Sequence, residues 1–210
     1  VAASAGRIDL LATALAAVEA EARKTKTVEA LRNYGLAVQA AVREAFEEHG
    51  LEVELVDRGF DFKVAVGAGD VAEDIAIASF RIREWLVEVK ATVREEVALT
   101  PLQARTAGLQ PDQFILCVVN LETIPDAASP VSDLVPLVRE KARFVLDLGP
   151  DAAFTIGHMQ AASAGQVGIK YDHQLRYTVR QARWTDGLTL DSWVEGIKAR
   201  AAEAKVGTAQ

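Results

Sequence analysis

The chain of 210 residues has one cysteine, Cys117, too few for an internal disulfide framework. No uninterrupted apolar run reaches the ~18 residues that a membrane-spanning helix needs, and no basic stretch leads into an apolar segment near the start. These absences argue against export, and a reducing cytoplasm fits them best. There is no internal repeat at a fixed period and no long low-complexity tract. Positive charge is in deficit: 23 Lys and Arg stand against 30 Asp and Glu, for a net charge of -7. Such a chain does not hold nucleic acid by bulk electrostatics, which requires a dense cationic surface to displace counterions. A local basic groove remains open, as does a metal site, because bound divalent cations outweigh the carboxylates that hold them. The chain opens on Val1 with no Met, so a processed product and a piece of something longer both stay open.

What is present is a half-apolar chain, long enough for one domain with appendages. Ile8, Leu11, Leu15 and Val18 recur at helical spacing, and a polar Lys24–Thr27 stretch separates that helix from a second over about Val28 to His49. Gly50 suits the helix end, since it lacks the Cβ that makes left-handed backbone costly. The period then falls to two. Leu51 to Val56 and Phe60 to Val66 read as strands joined by the Asp57-Arg58-Gly59 turn, and Ile75 to Val89 adds further strand sequence running into Lys90. Thr100-Pro101-Leu102-Gln103 predicts a helix start, with Thr at the N-cap, Pro first and Gln closing a capping box. Phe114 to Val119 is a continuous apolar run, as in a strand buried on both faces. Further on, Ser132 to Leu148 reads as helix, Ala161 to Gly168 as small and flexible, Gln174 to Arg183 as strand and Leu190 to Ala204 as a terminal helix. The order predicts an α/β sandwich around a mixed sheet. Its parts are an N-terminal helix and linker (1–27), a core (28–121) and a C-terminal extension packed on it (122–210).

Alternate residues of a strand share a face, so Glu88 and Lys90 project together while Val87 and Val89 enter the opposite layer. Asp61, flanked by Phe60 and Phe62, can reach the same side. Two carboxylates and a lysine at a sheet edge suit phosphodiester hydrolysis. Asp61 and Glu88, with the Val89 carbonyl, would hold Mg²⁺ or Mn²⁺, and Lys90 would orient a water or neutralise charge on phosphorus.

Gly59-Phe60-Asp61-Phe62, Val87-Glu88-Val89-Lys90-Ala91-Thr92, Leu99-Thr100-Pro101-Leu102-Gln103-Ala104 and the Phe114–Val119 strand together resemble the NO VEIN C-terminal domain. That family is similar to the PD-(D/E)XK and Mrr-like nucleases, and the resemblance covers roughly Val28 to Leu121. It implies a restriction endonuclease-like fold and DNA cleavage, with Asp61 and Glu88 as metal ligands and Lys90 as the catalytic lysine. It also implies partners in a bacterial defence system, often a helicase or another ATPase, with a homo-oligomer possible. Two positions depart from the pattern. Gln39 stands where many relatives carry a helical glutamate, with Glu47 and Glu48 further along. Gln103 matches a glutamine found after E-x-K in some of these nucleases, but Ala107 replaces the tyrosine that often follows, and a capping-box role for Gln103 is equally open.

Asp61, Glu88 and Lys90 also admit a plainer reading as a cross-strand salt bridge. Asp57 reads as a turn residue that would replace Asp61 if the register slips. Glu95 and Glu96 read as solvated loop charges. His49, His158 and His173 lack ligand spacing for zinc. Cys117 reads as a core residue whose apolar neighbours raise its pKa. Arg176, Arg180 and Arg183, near Lys170 and interleaved with Tyr171, Tyr177 and Trp184, suggest a nucleic-acid contact or a solvated strand face. Trp85, Trp184 and Trp193 read as core anchors. Against the nuclease stands a non-catalytic module that keeps this fold for assembly.

Overall fold

A computed structural model describes residues 29–56, 58–66, 84–121, 130–153, 157 and 177–206. The expected helix at Ile8–Lys24, the strand sequence before Glu84, Asp57, the 161–168 segment, Lys170, Tyr171, His158, His173 and Arg176 lie outside them. Helix α1 spans 29–48 and buries Tyr34, Val38, Ala41, Val42, Ala45 and Phe46, the stripe its three-and-four spacing predicts. It ends as expected: Gly50 has φ +74° and its N–H donates to the Glu47 carbonyl at 2.9 Å.

Strands β1 (Leu51–Leu55), β2 (Phe62–Val66) and β3 (Trp85–Thr92) form an antiparallel ladder. After β4 (Glu96–Leu99) and helix α2 (Pro101–Leu109), strand β5 (Phe114–Asn120) runs parallel to β3 over seven residue pairs. Helix α3 (Val131–Lys141) leads into β6 (Ala142–Val145), antiparallel to β5. The result is a mixed five-stranded sheet in the order β1-β2-β3-β5-β6. A short helix α4 (148–153) follows, then β7 (Tyr177–Arg180), paired with β4 in a two-stranded sheet, and helices α5 (Gln181–Thr185) and α6 (Leu190–Val206).

The sheet separates two apolar cores, so the expected α/β architecture with a central mixed sheet between helices is present. On one face Phe62, Val64, Trp85, Val87, Val89, Ile115 and Cys117 meet α1, α3 and α6. Trp193 of α6 stacks on Phe144 at 4.5 Å and lies 5.1 Å from Phe46. On the other face Phe114, Leu116 and Val118 meet Ala104 and Ala107 of α2, Leu148 and Ala152 of α4, and Trp184. All three tryptophans are buried anchors. β5 is buried along both faces, as its unbroken apolar run predicts.

Three local expectations need correction. The helix expected over Ser132–Leu148 stops at Lys141, because Ala142, Phe144 and Val145 are buried by pairing with β5. Of the strand expected over Gln174–Arg183, residues Tyr177–Arg180 are strand and the chain then turns into α5. Glu96, expected in a loop, begins β4 opposite Arg180. In the first and third cases non-local pairing overrides a weak local preference. Described residues beyond 121 thus supply a strand of the central sheet and the largest aromatic stack of its core.

Candidate active site

Pairing stops short on one side of β3, and this makes the site. β2 matches only Trp85, Leu86 and Val87, while β5 continues to Thr92. From Glu88 onward the β2 side of β3 has no strand partner among the described residues. The chain ahead of β2 fills the first gap with a side chain: the Asp61 N–H donates to the Val87 carbonyl at 3.0 Å, and the Asp61 carboxylate accepts the Val89 N–H at 2.7 Å. A strand residue points its N–H and C=O toward the same edge. The Val89 carbonyl therefore opens on the side where Asp61 stands.

Asp61 is held there by a close approach. Gly59 has φ +81°, and a Cβ on it would lie 2.5 Å from Thr106 Oγ1 of α2. Only glycine lets the β1–β2 turn sit on α2 in that backbone state.

Glu88 projects toward the face that α2 covers. It is 1% exposed, and its Oε1 receives Lys90 Nζ at 2.6 Å and Gln103 Nε2 at 2.5 Å. Its Oε2 is buried without a hydrogen-bond partner among the described residues. Burial pushes the Glu88 carboxyl up to about 7; Lys90 pulls it down, and the nearby charge of Asp61 adds to the rise. Desolvation wins because two donors gather on one oxygen and leave the other bare.

Gln103 resolves two readings into one. Its Oε1 accepts the Thr100 N–H at 2.8 Å, its own N–H donates to Thr100 Oγ1 at 3.3 Å, and its Nε2 reaches Glu88. A single amide closes the capping box and orients the buried carboxylate.

These groups line an open cleft of about 300 Å³. Asp61, Glu88, Val89, Lys90 and Gln103 form one side, and α1 supplies Arg32, Gly35, Leu36 and Gln39 across it. Gln39, which stands where the resemblance implies a helical glutamate, thus lines the cleft. Glu47 and Glu48 do not line the cleft; they are exposed and ion-paired with Arg43 and Arg139. Arg32 and Gly35 escaped the sequence reading, although their spacing of seven and four from Gln39 puts all three on one helical face.

Of the basic set, Arg180 and Arg183 lie elsewhere. Arg180, at the end of β7, is exposed opposite Glu96, and Arg183 on α5 is bound by Asp147 at 2.9 Å and Asp151 at 3.5 Å. Neither lines the cleft. Cys117 is fully buried, and burial drives its thiol pKa well up, as its apolar neighbours suggested. His49 Nε2 lies 3.2 Å from Asp191 Oδ1, away from the cleft lining.

No family model, curated protein or solved structure matches the chain. The site must be judged on its own chemistry. Among the described residues no three of His, Cys, Asp and Glu gather as a metal-binding set. Asp61, Glu88 and the Val89 carbonyl nonetheless offer the kind of oxygen donors that a hard cation takes while it retains several of its waters. The bare, buried Glu88 Oε2 is the atom that such a cation would satisfy. No helix among the described residues is long and apolar enough to cross a membrane.

Proposed function

We propose that the chain is a Mg²⁺- or Mn²⁺-dependent DNA endonuclease domain that hydrolyses phosphodiesters, and that it serves as a subunit or effector of a bacterial defence or restriction complex. One observation carries the reading. A buried glutamate, Glu88, holds a lysine two residues along its own strand, leaves one oxygen bare, and shares a cleft with Asp61 at the point where the sheet opens. The order of helix, antiparallel strands, helix and returning parallel strand supports a restriction endonuclease-like fold. So does the motif order around Asp61, Glu88 and Lys90.

Asp61 and Glu88, with the Val89 carbonyl, would hold the cation. Once bound, it would lower the pKa of a water and neutralise charge on the phosphate. Lys90 would stand beside the attacked phosphate and offset the charge that develops there. Gln103 holds Glu88 in place, so this carboxylate loses no freedom when it binds the cation. With net charge -7, tight binding to DNA would come from a partner.

Gln39 favours a second reading: a module of the same fold that has lost a carboxylate and serves assembly or DNA binding in such a complex. The test is cleavage of plasmid and linear DNA by purified protein in Mg²⁺ or Mn²⁺. Cleavage is expected to vanish with chelator and to fall at least about 100-fold in Lys90→Ala and in Asp61→Ala. Cleavage that survives both substitutions, or that is absent even with the natural partners, refutes the nuclease.

A further inference from the structure

Helix α1 forms the wall of the cleft opposite Lys90, and that wall lies outside the helix's buried stripe. Arg32, Gly35, Leu36 and Gln39 share one face by their spacing, beside the buried stripe of Tyr34 to Phe46. Gly35 sits inside the helix, where glycine is costlier than any residue but proline. Its φ is not positive, and a Cβ on it would meet no atom within 4 Å. Neither backbone geometry nor packing against the described residues calls for a glycine there. Leu36 beside it is 53% exposed.

Arg32 is exposed and makes no hydrogen bond or ion pair to any described residue, though Asp61 and Glu88 line the same cleft. Lys90 is already committed to Glu88 at 2.6 Å. Among the described residues Arg32 is therefore a cleft cation without a protein partner, able to add a second positive contact to a ligand beside that of Lys90. In an acidic chain, such a charge has most effect beside the reacting group. A guanidinium fork matches two oxygens of one phosphate.

We infer that this face of α1 is a strand-binding wall: Arg32 grips a backbone phosphate next to the scissile one, and Gly35 keeps open the space through which the nucleic-acid backbone passes. The inference rests on the nuclease reading. Arg32 is a substrate-positioning residue, so it acts on binding, whereas Lys90 acts on the chemical step.

The experiment follows cleavage of a fluorescein-labelled DNA duplex in Mg²⁺ by the wild type, Arg32→Ala, Arg32→Lys, Gly35→Ala, Gly35→Leu and Lys90→Ala. Binding is followed by anisotropy against KCl concentration in a Lys90→Ala background. Arg32→Ala is expected to raise KM roughly tenfold, the effect of losing a charged hydrogen bond, while kcat stays within about twofold. The slope of log affinity against log salt falls by about 1. Arg32→Lys restores part of the affinity, as a retained point charge without the fork. Gly35→Ala raises the melting temperature by about 2–4 °C and yet raises KM, and Gly35→Leu raises KM further. A helix glycine with a purely structural role would not improve stability and impair binding together. If the wild type cleaves and Lys90→Ala does not, but Arg32→Ala and Gly35→Leu keep the wild-type KM and salt slope, the wall assignment is wrong and the nuclease stands. If the wild type neither cleaves nor binds DNA, both readings fall.

Discussion

The two faces of β3 are built on opposite principles. Toward α1, α3 and α6 the strand presents Trp85, Val87 and Val89, all apolar, in a core sealed by the Phe46, Phe144 and Trp193 aromatics. Toward α2 it presents Leu86, then the buried Glu88, then Lys90, 22% exposed at its side chain. The first face is arranged for stability, because each apolar group removed from water contributes roughly 25 cal/mol per Å². The second gives stability up, since it buries a carboxylate with one oxygen unsatisfied. Such a buried, perturbed carboxylate in a cleft is the kind of group on which the proposed activity rests.

The largest way to break the comparison is on the apolar face. Trp193→Ala should cost about 3–5 kcal/mol, read as a lower denaturant midpoint, because it empties the slot between Phe46 and Phe144. A cost under about 1 kcal/mol would mean that α6 is not part of this core.

On the polar face the sign should reverse. The folded Glu88 carboxyl sits near 7, above its ordinary value of 4.5. The folded protein therefore holds a proton that the unfolded chain releases, and the contribution of Glu88 to stability is complete below pH 4.5 and lost as pH rises through 7. Glu88→Gln, measured without divalent cation, should match the wild type near pH 4 and exceed it by up to about 3 kcal/mol at pH 8. Mg²⁺ should stabilise the wild type at pH 8 and leave Glu88→Gln nearly unaffected. A pH-independent gap between the two proteins would show that burial does not raise this carboxyl.

The smallest effect sharpens the link between the faces and α2. Gln103→Ala removes one arm of the capping box and a donor to Glu88, and should cost roughly 1 kcal/mol. The wild-type pH dependence should then steepen, since a donor that lowers the Glu88 pKa is gone. If only the pH-independent stability changes, Gln103 is a cap and no more.

Much of this was readable before folding. The alternation that puts Glu88 and Lys90 on one face is a property of any strand, and the apolar Phe114–Val119 run marks β5 without tertiary help. Gly50 at a helix end and the Thr100–Gln103 capping box are equally local. What misled was also local: 142–145 and 177–185 carry weak preferences, and long-range partners settled them. Residues 142–145 were drawn into the sheet by β5, and Glu96 into a strand by Arg180 and its neighbours.

The sequence alone determined which residues could act together within a single element, since helical and strand periods are set by the backbone. Tertiary structure decided what crosses between elements. It started β2 at Phe62, so that Asp61 rather than a neighbouring strand meets Val89, and it laid Gln103 against Glu88. It also turned the Arg32–Gln39 face of α1 toward the same cleft. These elements lie far apart along the chain, and no short-range pattern fixes a distance that only the packing of two cores around one sheet can set.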